Sequence, residues 1–343
     1  MNSSALWQLV LARWRGFYRE PETIFWAFVF PLLLSVALGI AFRNRAPAPA
    51  PVGVEDGAGA GALFTALAQS PALAPRRVTP EEAGRALRSG KLDAVVAPGP
   101  PPTYRFDPTR PEGRMARLLV DDALQRAAGR VDPVSARDAA VTEPGSRYID
   151  SLIPGLAGMG LMQSGLWGVG YVIVEMRTRK LVKRLVATPM RKRDFLLGFI
   201  LVRAFFLLFE LPVLFGFGAL AFHVPIRGSI VLLGAEALLG SLVFAGIGLL
   251  VAARAQTVQT VSGLINLVSV PMFIASGTFF SASRFPDVVQ PLIRALPLTA
   301  LNDALRAVML DGAGLGGVAK ETGILLAWGV VSFAVALRLF RWQ

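Results

Sequence analysis

Apolar residues run almost unbroken over 23–42 and again over about 150–174, 195–221, 229–252, 257–280 and 320–340. A helix rising ~1.5 Å per residue needs about 20 residues to cross a ~30 Å hydrocarbon core, so these runs predict six membrane-spanning helices. Between the first two runs the pattern changes. The stretch "RNRAPAPAPVGVED" opens as a Pro/Ala linker. Behind it "VGVED", "RRVT", "KLDAVVAP" and "TYRFDP" read as strands, and 61–69, "PEEAGRALRSG" and 112–128 as helices. The expected fold is an α-helical integral membrane protein with six transmembrane helices, an N-terminal interfacial helix, and a small α/β extracytoplasmic domain between spans one and two. Its parts are 1–22, an interfacial helix; 23–42, the first span; 43–147, the α/β domain; and 148–343, a five-helix transmembrane domain. Within the last, 281–318 is amphipathic and broken by prolines, and reads as short interfacial helices or a re-entrant element.

The interfacial helix rests on spacing. Trp7, Leu11, Trp14 and Tyr18 recur on one face, with Arg15 and Arg19 opposite. Such a helix can lie in the headgroup layer with its arginines in water. A helix packed into a soluble subdomain shows the same periodicity, but here a span begins directly after Pro21.

Composition narrows the function classes. Hydrophobic residues make up 54% of the 343 and charged residues 17%, which argues against a pair of soluble domains. The net charge of +12 does not gather into a basic domain with interleaved aromatics, so nucleic acid is not an expected partner. No cysteine is present and His223 is the sole histidine, which leaves no thiolate or histidine-cluster metal site and no Cys nucleophile. The run 23–42 is longer than the ~7–15-residue core of a signal peptide and reads as a retained anchor.

The scarce charge is concentrated in "EMRTRKLVKRLVATPMRKRDF", residues 175–195, which covers the loop 175–194. Bases favour the cytoplasmic side, which places both termini inside and 43–147 outside. The loop has more pattern than topology requires. Arg177, Lys180 and Arg184 recur at i, i+3, i+7, with Lys183 beside them, and Leu181 and Leu185 at i, i+4. Thr188-Pro189 then breaks the helix, because the residue before proline is pushed from helical angles, and Thr188 can cap a new helix beginning at Pro189. The result is a rigid amphipathic projection under the membrane, suited to receive a push from a partner.

Three polar residues inside spans are candidates for a translocation path: Glu210, Glu236 and Asn266. A charge at the bilayer centre costs ~2.5–3.5 kcal/mol on insertion scales, so each carboxylate must face protein or water. Glu210 reads either as part of a path or as a buried, partnered structural carboxyl; Arg203 lies on the same helix face. Glu236 reads first as structural, and Asn266 as a helix–helix hydrogen bond.

Two stretches resemble the core of type-2 ABC transporter permeases, the membrane subunits of ATP-driven exporters. One is "RYIDSLIPGLAGMGLMQSGLWGVGYVIVEMRTRKLVKRLVATPMRKRDFLLG". The other is "VPMFIASGTFFSASRFPDVVQPLIRALPLTALNDALRAVM", with Pro271, Ser276-Gly277, Pro286, Pro297-Leu298 and Ala304-Leu305-Arg306. "EEAGRALRSGKLDAVVAP" is similar to the extracytoplasmic domain of that family's drug- and lipid-export branch. The resemblance implies a coupling element at about 176–190 that rests on a separate ATPase subunit, with the N-terminal helix helping to form the contact. It also implies a second permease protomer, a bacterial inner-membrane location and a hydrophobic or amphipathic substrate. One departure stands out: family members often carry an acidic residue and then Gly where this chain has Thr178-Arg179-Lys180.

No catalytic residue is expected in the chain. "GRALRSGKL" is not a P-loop, since its glycines are one residue too far apart and Leu92 stands where a Ser or Thr would hold magnesium. ATP and magnesium would be bound by the ATPase partner, and membrane lipids by the basic face. Two other classes remain open from sequence: a proton-coupled secondary transporter using Glu210 and Glu236, and a membrane-anchored sensor or scaffold.

Overall fold

A computed structural model describes residues 21–42, 48–131, 134, 137, 145, 147–181, 192–280, 282 and 285–339, with the backbone alone at 22, 23, 27 and 192–200. The expected interfacial helix, with Trp7, Trp14, Arg15 and Arg19, lies outside these residues. So does most of the basic loop, with Lys183, Arg184, Leu185, Thr188 and Pro189. The chain divides into two compact units, Asn44–Val141 and Met1–Arg43 with Thr142–Gln343.

The smaller unit is a four-stranded sheet with three helices: β1 (Ala50–Glu55), α3 (Ala60–Ala68), β2 (Leu73–Val78), α4 (Pro80–Arg88), β3 (Ala94–Ala97), β4 (Thr103–Phe106) and α5 (Pro111–Ala127). The strand order is β2-β1-β3-β4. β1 pairs in parallel with β2 and β3, and β4 closes the edge antiparallel to β3. Side chains alternate along a strand, so Val52, Val54, Ala94 and Val96 join one core with Leu67 and Val120, while Val95 joins the opposite one with Leu92 and Ala83. Gly53 faces the second core, where a Cβ would stand 2.8 Å from Leu92 Cδ1. The start of α4 is set locally: the Thr79 hydroxyl accepts from Glu82 N–H, and Pro80 supplies a first-turn φ already helical.

The larger unit opens with helical residues from 21 to 41: α1 (Pro21–Ile24), a π turn at Phe25–Val29 and α2 (Phe30–Ala41). A second interrupted helix comes next as α6 (Tyr148–Gly165), a π turn at Leu166–Tyr171 and α7 (Val172–Thr178). Then come α8 (Lys192–Phe222), α9 (Ile230–Ala252), α10 (Val258–Ala275), α11 (Gln290–Ala295), α12 (Pro297–Asp311), a 3-10 turn at Leu315–Val318 and α13 (Ala319–Leu339). Five stretches are long and apolar enough to cross a membrane: Tyr148–Thr178, Leu201–Phe222, Ile230–Ala252, Val258–Ala275 and Leu315–Leu339. The chain is thus an integral membrane protein. The first expected span differs in form, since its π turn leaves a 12-residue apolar α-helix, Phe30–Ala41.

α6 and α9 form the centre of this unit and are buried along most of their length. They approach closely because glycines face each other. A Cβ on Gly165 would lie 2.6 Å from Phe244 Cβ, and one on Gly170 would lie 2.7 Å from the Gly248 carbonyl. Without water to solvate apolar spans, such backbone proximity supplies the van der Waals contact that holds helices together. In the 281–318 segment, α12 packs against α6, α9 and α13, and Leu298, Leu301, Leu305 and Val308 are fully buried.

Candidate functional site

Four sets of polar residues interrupt this apolar unit. The first lies where α7 runs out into the basic loop. Arg177 is half-buried, and its Nη1 donates to the carbonyls of Ala252 at 3.1 Å and Ala255 at 2.7 Å. The Ala252 carbonyl ends α9, where the helix dipole concentrates negative potential, and that of Ala255 lies just beyond, so a guanidinium there satisfies orphan acceptors. Beside it, Arg179 pairs with Glu175 at 2.8 Å, and the Thr178 hydroxyl donates to the Glu175 carbonyl. Lys180 adopts φ 57, the left-handed region that glycine usually fills after a helix. Thr178, Arg179, Lys180 and Leu181 are all exposed.

The second set is on α8. Arg203 Nη1 and Glu210 Oε2 are 2.9 Å apart and both side chains are buried. Arg203 Nε also donates to Ser241 on α9 at 2.6 Å, tying the two helices. Glu210 lines a crevice of about 10 Å³ with Phe28, Leu32, Leu156, Gly160 and Leu214, on the order of one water's space. Two turns of helix bring Arg203 to Glu210, the arrangement their seven-residue spacing suggests.

The third set is Glu236 and Thr322. Glu236 is buried, one carboxylate oxygen accepts from the Thr322 hydroxyl at 2.7 Å, and the other has no hydrogen-bond partner among the described residues. Asn266, by contrast, is exposed on α10. The structure therefore does not gather Glu210, Glu236 and Asn266 into one site.

The fourth set has no counterpart among the sequence candidates. Asn302 Nδ2 donates to Thr278 Oγ1 at 2.9 Å and to the Ser276 carbonyl at 3.3 Å, and its Oδ1 abuts Gly158. Arg306 Nε donates to the Ser151 carbonyl at 3.2 Å, and its Nη2 to the Gly277 carbonyl at 2.6 Å. Gly277 reaches φ 75 to present that carbonyl. At the start of α6, Arg147 binds the Asp150 carboxylate through both Nε and Nη2, and Nη2 also donates to the carbonyls of Phe222 and His223 at the end of α8. Asp150 in turn accepts from the Gly145 and Arg147 amides. The signal available for these residues was the polarity of "SGT" and "ALNDALR" within otherwise apolar stretches.

No group of three or more metal-ligating side chains occurs among the described residues. Taken together, these sets link helix ends and lock helices to one another, and the described residues present no reacting constellation.

A family model described as "ABC-2 family transporter protein" matches residues 21–338. Among curated relatives, "ABC transporter G family member 20" of Dictyostelium discoideum is 29% identical over 207 residues, which are 60% of this chain and 28% of that protein. "Inner membrane transport permease YhhJ" of Escherichia coli K12 is 30% identical over 118 residues, 34% of this chain and 32% of the relative. "Linearmycin resistance permease protein LnrN" of Bacillus subtilis is 28% identical over 96 residues, 28% of this chain and 25% of the relative. Each matched stretch thus spans about a third or less of the relative's own length.

Proposed function

The chain belongs to the ABC-2 transporter family, and on that premise we propose that it is the membrane-spanning permease subunit of an ABC-type exporter. It couples ATP hydrolysis by a separate ATPase subunit to the export of a hydrophobic or amphipathic substrate. The observation that carries this reading is the exit of the most buried candidate span into the basic loop. The helix ending at Thr178 is anchored by Arg177 to the end of α9, then turns through left-handed Lys180 and exposes Arg179, Lys180 and Leu181. A force applied at Arg179, Lys180 and Leu181 would reach two spans, because Arg177 ties the end of α7 to Ala252 and Ala255. Lys183, Arg184, Leu185, Thr188 and Pro189 complete that contact in this reading.

In the same reading six spans place both termini in the cytoplasm, the α/β unit outside, and the protein in a bacterial inner membrane. The interfacial helix of Trp7, Trp14, Arg15 and Arg19 adds to the ATPase contact. The basic face also holds anionic lipid headgroups, each base near the surface adding ~1 kcal/mol. A second permease protomer accounts for Asn266, because an exposed amide within a span is favourable only against water or another polar surface. The relative named a linearmycin resistance permease supports an export role. Proton coupling fits Glu210 poorly, since Arg203 already neutralises it, and retains a foothold only at Glu236 with its bare carboxylate oxygen.

The test is reconstitution. Purified from its native membrane, the chain should bring an ATPase subunit with it. The complex in vesicles should hydrolyse ATP faster when its lipid or drug substrate is present. Uptake driven by a pH gradient without ATP would replace this reading with the secondary-transporter one.

A further inference from the structure

The helix from Tyr148 to Thr178 is fastened at its two ends to different parts of the unit. At its start, Arg147 holds the end of α8, and the Ser151 carbonyl accepts from Arg306 on α12. Tyr148 Oη also donates to the Phe279 carbonyl. At its finish, Arg177 holds the end of α9 through Ala252 and Ala255. Between the two fastenings the α-helical pattern is broken by the π turn Leu166–Tyr171. Such a turn accommodates an extra residue with i→i+5 bonds and is a recurrent site of helix bending.

Glycines at this turn have two different reasons. Gly165 and Gly170 are required by packing, since a Cβ on either would meet α9 backbone or Phe244 under 3.0 Å. Gly168 is not: nothing lies within 4 Å of the position its Cβ would take. Alanine would fit there and favour the helix, so what glycine adds at 168 is backbone freedom.

We infer that the helix Tyr148–Thr178 is a lever pivoting at the π turn Leu166–Tyr171, and that Arg177 is the positioning residue that makes the end of α9 move with its short arm. The short arm is α7, seven residues long, and it carries the basic loop. The long arm, α6, is held to α12 by Arg306 through the Ser151 carbonyl. Gly170 and Gly248 meet closely at the pivot: a Cβ on Gly170 would stand 2.7 Å from the Gly248 carbonyl, and one on Gly248 3.2 Å from the Gly170 nitrogen. When the loop is pushed, α7 and the segment around Ala252 and Ala255 shift as one body against a stationary α6. The lever is a property of the chain alone; its use in export rests on the transporter reading.

The chain has no cysteine, so spin labels can be placed at will. The full chain in lipid nanodiscs, without an ATPase, would carry labels as Thr178→Cys with Leu292→Cys, and separately as Thr178→Cys with Gln256→Cys; all three positions are exposed. Pulsed electron resonance should show two distances or a broad one for the first pair, and a single narrow one for the second. Gly168→Ala should cut the minor population of the first pair about fivefold while raising thermal stability, the expected gain for Gly→Ala in a helix. Arg177→Ala should broaden the second pair, and Arg177→Lys, which keeps a donor, should restore part of the narrowness. A first pair that is already single and narrow, or one that Gly168→Ala leaves unchanged, overturns the pivot. A second pair still narrow in Arg177→Ala overturns the role of Arg177. Failure of an ATPase to co-purify would sink the exporter reading and leave these distances as they are.

Discussion

Arg203 and Glu210 lie two turns apart on one helix and close a buried ion pair at 2.9 Å, with Ser241 of the neighbouring helix as the third member. The pair offsets two charges that would each be costly in an apolar span. It also makes each partner hostage to the other.

Glu210→Gln should therefore destabilise the protein by about 3–5 kcal/mol, because it leaves the Arg203 guanidinium buried and unpaired. Replacing both, as Arg203→Met with Glu210→Leu, should be less damaging than the single change. Thermal unfolding of detergent-purified protein measures both. If the double variant falls as far as the single, the pair is not the relevant unit.

Lys180 holds a left-handed backbone that an L side chain visits at a cost of roughly 1–2 kcal/mol. Lys180→Gly should raise the unfolding temperature despite removing a base, whereas Lys180→Ala should not. An equal response to the two substitutions would show that the charge, not the conformation, matters there.

Where Gly248 faces Gly165, the contact between α6 and α9 has no room for a side chain. Gly248→Ala would place a Cβ 2.8 Å from the Gly165 carbonyl, which is backbone and cannot swing away. A loss of about 1–3 kcal/mol is expected, as for overpacking elsewhere. Gly234→Ala, on the same helix with nothing within 4 Å, is the matched control and should be neutral or mildly stabilising.

The α/β unit should weaken in acid. Hydrogen bonds from Thr109 hold the Asp107 carboxyl below its ordinary range, and one from Arg130 does the same for Asp122. A carboxylate depressed in the folded state binds fewer protons than the unfolded chain does. Its contribution is complete above the unfolded value of about 3.9 and is lost as pH falls through the folded value. Amide exchange over 48–131 should be constant from neutral pH to about 5, after correction for intrinsic rates, and rise below 4. Asp107→Asn should flatten part of that rise.

Much of this architecture was legible because its causes are local. Apolar runs near 20 residues marked the helices, and Pro80 at a first turn marked the start of α4. The Arg203–Glu210 spacing placed both on one face. The features that escaped the sequence depend on distant partners or on a single residue. A π turn changes neither hydrophobicity nor polarity, so the break at Leu166–Tyr171 left no trace in the pattern. Arg177 reads as one more base of an outward face, yet its acceptors come from Ala252 and Ala255, some 75 residues on. Arg147, Asn302 and Arg306 likewise each reach backbone carbonyls distant in sequence, which no local pattern announces.

Orientation is open to direct labelling. Gly61→Cys, exposed with open space around it, should react with a membrane-impermeant thiol reagent in intact cells, and Lys183→Cys should not. The reverse pattern would invert the proposed topology and remove the basic loop from any cytoplasmic partner.

The most direct measurement of the account is co-purification of the ATPase subunit with Leu185→Asp. A carboxylate in the apolar stripe formed with Leu181 opposes docking through desolvation, which salt does not screen. The variant should insert normally and lose its ATPase partner even at low salt, whereas Lys183→Ala should weaken the contact modestly and only as salt rises, by about 0.2–1 kcal/mol. If Leu185→Asp keeps its partner and full ATP-driven transport, the basic loop sets topology alone and does not couple ATP hydrolysis to the spans.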